Sequence, residues 1–276
     1  MFSLQRTREP RTSSVAITTS KGDGVNGYKC PMGTEQTMNY IVANPTGNIT
    51  VLVTSDVPQS ERLAVVQKMF KKEPTCEQVG FVKVLGEDRI FLEMMGGEFC
   101  GNATMSTAAY LAKTNGLACD AKATIIVDAS GADEPVAVEI VRKDEHSFVG
   151  TLEMPMPTIE GNVVNLDGIS HMIVPASETS KEEMEKSIKK LADEQDVLAF
   201  GMIRYDEDEL SIEPLVYVKG SGTLVWENGC ASGSIATAYY RYIGNGVSES
   251  AIKNPGGVMN VKFESGRLFI TGTVEL

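Results

Sequence analysis

Two stretches decide how this chain is read: Gly96-Gly97-Glu98-Phe99-Cys100-Gly101-Asn102-Ala103-Thr104 and Trp226-Glu227-Asn228-Gly229-Cys230-Ala231-Ser232-Gly233-Ser234. Each sets a cysteine among small residues at the start of a helical stretch, Gly101–Lys113 and Ala231–Tyr242. Aligning Cys100 with Cys230 also matches Thr107 with Thr237, Ala108 with Ala238 and Tyr110 with Tyr240. Downstream, VDASGADEP (from Val127) and KNPGGVMN (from Lys253) each read as a turn between two strands. The shared order of strand, cysteine, helix, strand, turn and strand points to a duplicated unit. Two copies facing each other would set one cysteine on each side of a central cleft, a preferred place for a ligand.

The rest of the chain fits alternating strands and helices. Strands are expected at Ile49–Val53, Val79–Leu85, Ile90–Met94, Thr124–Val127, Val136–Val141 and Phe148–Glu153. Further strands are expected at Val197–Ile203, Leu215–Val218, Thr223–Trp226, Val258–Phe263 and Leu268–Val274. Leu63, Val66 and Phe70 recur at helical spacing behind Ser60, a candidate N-cap, and the stretch ends near Pro74. Ser180 and Glu183 have the spacing of a capping box, with Met184, Ile188 and Leu191 as the apolar stripe behind it. The expected organisation is an extension over 1–37, without apolar periodicity and read as a disordered tail, then halves at 38–147 and 148–276. The last strands could pack back on the first half.

A net charge of −12 argues against nucleic-acid binding and against docking on anionic membranes. No apolar run is long enough to span a bilayer. Five cysteines without a CxxC pair, and only two histidines, argue against both a disulfide framework and a metal site. Free thiols suit a reducing cytoplasm, and Cys30, Cys76 and Cys119 are expected to be packing residues.

The chemistry follows from the two helix starts. The first N–H groups of a helix lack intrahelical acceptors and carry partial positive charge, so they can hold a carboxylate. They are also expected to lower a cysteine pKa from its usual value of about 8.5. An amino acid held by the N–H groups of Gly101, Asn102, Ala231 and Ser232 would place its α-carbon between Cys100 and Cys230. One thiolate would remove the α-proton and the opposite thiol would return one, inverting the centre without a cofactor. The negative charge that builds on the carboxylate would fall on preorganised N–H donors, each worth about 3 kcal/mol in oxyanion holes.

These motifs resemble those of the diaminopimelate epimerase and proline racemase superfamily, over the whole chain from Met38. ANPTGNITVLV (Ala43–Val53), CEQVGF (Cys76–Phe81), GEFCGNATMS (Gly97–Ser106), WENGCASGS (Trp226–Ser234) and NPGG (Asn254–Gly257) are especially similar to the histidine racemases that feed staphylopine-type metallophore synthesis. The resemblance implies an α/β (α+β) fold of two pseudo-symmetric domains, each a curled sheet around a central helix, with the active site between them. It implies Cys100 and Cys230 as catalytic bases, and Asn48, Glu77 and Gln78 as pocket residues. Gly101, Asn102, Ala231 and Ser232 become the carboxylate cradle. Glu227 becomes an acid near the substrate amine, and His171 a histidine near the centre. A homodimer is the expected assembly.

Asn228 stands where diaminopimelate epimerases carry an arginine that grips the distal carboxylate, and Ile169 and Met202 lie where two pocket asparagines are expected. An amide cannot replace a charged bidentate fork, so a neutral or cationic side chain fits better than diaminopimelate. L-Histidine is the expected substrate, with Glu77 receiving an imidazole N–H. Two readings stand beside it. Proline-type racemisation lacks its Asp-Arg-Ser-Pro-Cys pattern here. A redox-switched amino-acid-binding protein would use the same cleft without turnover.

Overall fold

The turn at Thr46 and Gly47, both at positive φ (50° and 94°), folds β2 (Gln36–Pro45) back on β3 (Thr50–Val53). This hairpin begins the main sheet of the computed structural model, which describes residues 13–17 and 36–276. Ahead of it, β1 (Ser13–Ile17) pairs antiparallel with β2. β1 and the first two residues of β2 are the described part of the extension expected over 1–37. The remainder of that expectation, 1–12 and 18–35, lies outside the described residues.

From β3 the chain crosses through α1 (Gln59–Lys72) to a parallel β4 (Gln78–Val84), then turns into β5 (Arg89–Met94). A second crossover, α2 (Gly101–Thr114), leads to a parallel β6 (Lys122–Ala129), followed by the antiparallel β7 (Val136–Arg142) and β8 (Ser147–Met154). The final strand, β17 (Arg267–Glu275), pairs with β8 along eight positions and meets β2 at Val274–Pro45. Eight strands thus close a barrel, and α2 fills it. A helix inside a barrel must be buried all round, which explains its run of Ala, Thr and Ser: every residue from Gly101 to Ala112 except Tyr110 is buried.

The rest of the chain again alternates strands with helices. Strands β9 (Thr158–Glu160), β10 (Val163–Leu166) and β11 (Ile169–Pro175) form a meander, and α3 (Lys181–Asp193) crosses to a parallel β12 (Ala199–Asp206). Strands β13 (Ser211–Val218) and β14 (Thr223–Trp226) follow antiparallel, then α4 (Ala231–Asn245), β15 (Glu249–Asn254) and β16 (Gly257–Glu264), which pairs with β17. Helix α4 packs on β10–β13, β15 and β16. Its last turns emerge, leaving Tyr240, Tyr242 and Ile243 exposed. One apolar core joins both helices through Leu268, Ile270 and Val274 of β17. The whole is a mixed α/β fold with a closed strand barrel and few helices.

Several local expectations hold, and others shift. The capping box of Ser180 and Glu183 is formed in both directions. Helix α1 instead starts after Pro58, so Ser60 lies inside its first turn. Leu63 is exposed, and Val65, Val66 and Met69 form the buried face. Among the described residues no helix is long and apolar enough to cross a membrane.

Candidate active site

Cys100 and Cys230 are the N-caps of α2 and α4, both in extended backbone geometry. A serine or aspartate in this place would accept a backbone N–H from the first turn. Here the sulfurs do so, Cys100 Sγ from Ala103 N at 3.5 Å and Cys230 Sγ from Gly233 N at 3.2 Å. The N–H groups of Thr104 and Ser234 return to the cysteine carbonyls. Those of Gly101, Asn102, Ala231 and Ser232 remain first-turn donors with no intrahelical acceptor. The two starts meet closely: a methyl group at Gly101 would lie 3.1 Å from the Ala231 methyl.

A backbone crossing brings the two starts together. A side chain at Gly47 would collide with Gly256 Cα at 2.5 Å, and one at Gly229 with the Thr46 carbonyl oxygen at 2.2 Å. Asn48 and Asn102 both donate through Nδ2 to the Gly229 carbonyl, at 2.8 and 2.6 Å. Asn254 accepts the Cys230 N–H at 2.9 Å. The asparagine side chains thus hold the Cys230 turn in place. Among the described residues the buried Oδ1 of Asn102 has no partner.

One pocket collects Glu77, Gln78, Cys100, Gly101, Asn102, Glu227, Cys230, Ala231 and Ser232 from the candidates. Its cavity volume is about 40 Å³. A wider cleft of about 600 Å³ shares Phe99, Ile169 and Ser232 with it. Gln78 contacts one of the two cysteines directly: its Oε1 accepts from the Cys100 thiol at 3.0 Å, and its Nε2 is tied to Thr50 Oγ1 at 2.8 Å. Asn48 and His171 stand behind the pocket wall. His171 is wholly buried, with Nε2 2.8 Å from Ser232 Oγ, and that hydroxyl lies 3.5 Å from Cys230 Sγ. Burial lowers the imidazole pKa to about 3, so it is neutral. Only glycine fits beneath it, because a methyl at Gly201 would come within 2.1 Å of Nδ1. Met202 does not reach the pocket and packs under α3 with Met184 and Leu215.

The electrostatics correct one expectation. The helix starts were expected to favour thiolates, yet burial pushes Cys100 up to about 12, with Glu227 and Glu98 adding to the rise. Cys230 is raised well above its ordinary range by burial and by the neighbouring Glu227. Three carboxyls share the pocket. Burial raises Glu227, beside the Cys230 thiol and Asn48, to about 8, and Glu77 to about 7 despite its hydrogen bonds from Asn228. Glu98 is raised too, again by burial. The helix-end field is a local effect of the first turn. Loss of water around a sulfur depends on the whole enclosure, and here it dominates.

The sequence reading missed Glu98 as a pocket residue, although it stands two residues before Cys100. It also missed the apolar wall of Met95, Val216, Val218 and Val225, whose members are distant in sequence. Cys76 is buried and donates to the Gln78 carbonyl at 2.9 Å, as a packing residue would, whereas Cys119 is exposed. Cys30 lies outside the described residues.

The fold and sequence were compared with those of known proteins. The fold is similar to that of a predicted epimerase from Pseudomonas aeruginosa, which superposes with a TM-score of 0.64 at 13% identity, covering 86% of this chain and 96% of the other. The family model described as the histidine racemase CntK N-terminal domain matches residues 37–274. A histidine racemase from Fusobacterium nucleatum is 33% identical over 88% of this chain and 96% of the relative. One from Staphylococcus aureus is 27% identical over 80% of this chain and 87% of the relative. The chain belongs to the histidine racemase family.

Proposed function

We propose that this protein interconverts L- and D-histidine with Cys100 and Cys230 as the two acid–base groups and no cofactor. The observation that carries the reading is the pair of thiols capping two abutting helix starts in one pocket. The substrate carboxylate takes the free N–H groups of Gly101, Asn102, Ala231 and Ser232. Its ammonium faces the carboxyls, Glu227 foremost. One sulfur, as thiolate, takes the α-proton. The electron pair of the Cα–H bond moves into the carboxylate, which becomes enediolate-like under the N–H donors. The opposite thiol gives its S–H proton to the other face, and the enzyme is left with its protonation reversed.

Asn48 and the Asn102 side chain act on this reaction by fixing the Gly229 carbonyl, and His171 by fixing Ser232. The finer architecture belongs to the same proposal: halves 38–147 and 148–276, each a sheet curled around its helix, with the site in the cleft between them. The matching places of α2 and α4 support it. So does the wide cleft at Phe99, Ile169 and Ser232, a ready approach to a pocket that must open to admit a ligand. Free catalytic thiols fit a reducing cytoplasm. A homodimer, and a product used in metallophore synthesis, are carried over from the resemblance.

The test is proton NMR of L-histidine with the reduced protein in D2O, followed by chiral chromatography. Loss of the α-proton signal with D-histidine appearing is expected. Binding of histidine without exchange would refute the reaction.

A further inference from the structure

The pocket holds three carboxyls, and two of them are held by other side chains. Glu77 accepts both the backbone N–H of Asn228, at 3.1 and 3.2 Å, and its side-chain amide, bridging positions 151 residues apart. Glu227 lies against the Cys230 thiol and Asn48. Glu98 differs. It is 6% exposed, and its carboxyl accepts backbone N–H groups of its own turn, that of Gly96 at 2.9 Å to Oε2 and its own.

The carboxylate is also held firmly. Ser130 donates through Oγ to the Glu98 carbonyl at 2.9 Å and accepts the Met94 N–H at 2.9 Å. Gly131 lets this turn approach so closely that a methyl there would lie 2.4 Å from Phe99 N. A methyl at Gly96 would meet Glu98 Oε2 at 2.6 Å and Val218 Cγ1 at 2.5 Å, so the carboxylate borders the valine wall. A fixed acceptor at the edge of an apolar slot is what a flat ring bearing an N–H requires. Buried polar groups of this kind reject analogues that lack the hydrogen.

We propose that Glu98 is the specificity-determining residue of the site, receiving the imidazole N–H of histidine while Val216, Val218 and Val225 pack the ring. This rests on the histidine reading above and moves the imidazole contact from Glu77, which is tied to the loop at Asn228, to the carboxyl beside the valine wall. Glu98 contacts the distal part of the substrate, so its effect falls on choice of side chain.

The experiment compares wild type, E98Q and E98D on L-histidine and on thienylalanine, whose five-membered ring has no N–H, by α-proton exchange in D2O. Glutamine keeps an acceptor for Gly96, and thermal melts check folding. With E98Q, kcat/KM for histidine is expected to fall about 100-fold or more, while that for thienylalanine stays within about threefold, so the preference collapses. E98D, which withdraws the carboxylate by one methylene, is expected to lose histidine selectively as well and serves if E98Q does not fold. Equal losses on both substrates would mark a structural role and overturn the assignment, as would unchanged histidine turnover. Absence of histidine exchange by wild type would instead overturn the reaction itself and this assignment with it.

Discussion

Replacing Glu227 by glutamine is expected to stabilise the protein while stopping its chemistry. Burial raises this carboxyl from an ordinary 4.5 to about 8. The folded state therefore keeps its proton to higher pH than the unfolded chain does. Its contribution is fully present below 4.5 and is lost as pH climbs toward 8. At about 1.4 kcal/mol per pH unit, the wild type gives up about 3 kcal/mol at pH 7 and about 5 kcal/mol by pH 9. Glutamine has the same shape, can still meet Cys230 and Asn48, and escapes this loss. It also removes one charge from beside Glu77 and Glu98. In a chain of this size, 3 kcal/mol corresponds to roughly 10 °C in Tm. Melts of both proteins at pH 5, 7 and 9 should show a gap that widens with pH. Racemisation by E227Q should fall ~10²–10³-fold, because the substrate ammonium loses a buried charged partner, a loss of about 2–5 kcal/mol. A gap that is flat with pH, or E227Q melting below wild type at pH 9, would refute the reasoning.

C100S and C230S should each cut histidine racemisation more than ~10³-fold while melting within a few degrees of wild type, because both helix starts persist; chiral chromatography of each single variant checks this, and wild-type rates in both would remove the two-thiol mechanism. Iodoacetamide at pH 8 should label the exposed Cys119 first and reach Cys100 ~10³-fold more slowly than a free thiol, since a sulfur held near 12 is almost never a thiolate. Peptide mass spectrometry reads the order, and early labelling of Cys100 would contradict the burial effect. G201A drives a methyl to 2.1 Å from the His171 ring nitrogen and should cost about 1–3 kcal/mol in denaturant unfolding, with loss of turnover as Ser232 shifts; unchanged stability would mean that the ring can move.

What could be read from the sequence was whatever one helix turn encodes. The cysteines at the starts of α2 and α4, the small residues behind them and the Ser180–Glu183 box are local patterns, and each is formed. The region between Pro155 and Pro175 escaped, since its three strands are short and broken by Gly161 and Gly168, both at positive φ. Leu63 fits a helical spacing as well as Val65 does, and only the position of the sheet beneath α1 decides which is buried. The bridge from Glu77 to Asn228 and the valine wall beside Glu98 join distant segments, so no local pattern announces them. The thiol pKa values were read in the wrong direction for the same reason: the helix end is local, and the enclosure is not.

The raised thiols and carboxyls bear on how the site chooses when to act. No lysine, arginine or histidine lines the catalytic pocket among the described residues. Burial therefore keeps protons on both sulfurs and, near neutral pH, on part of the acid set. In the proposed complex a bound amino acid would change the balance, because its carboxylate would settle on the helix starts and its ammonium would stand among the acids. At an effective dielectric near 20, a cation about 4 Å from a developing thiolate is worth about 4 kcal/mol. That is roughly three pH units at about 1.4 kcal/mol each, enough to bring Cys100 from about 12 toward 9. On the proposed mechanism the substrate would thus supply the charge that makes its own base. A free enzyme without standing thiolates is also protected from oxidation, which follows thiolate character. Strongly basic sulfurs suit the reaction as well, since a thiolate of high pKa drives α-proton removal harder than one already comfortable at neutral pH.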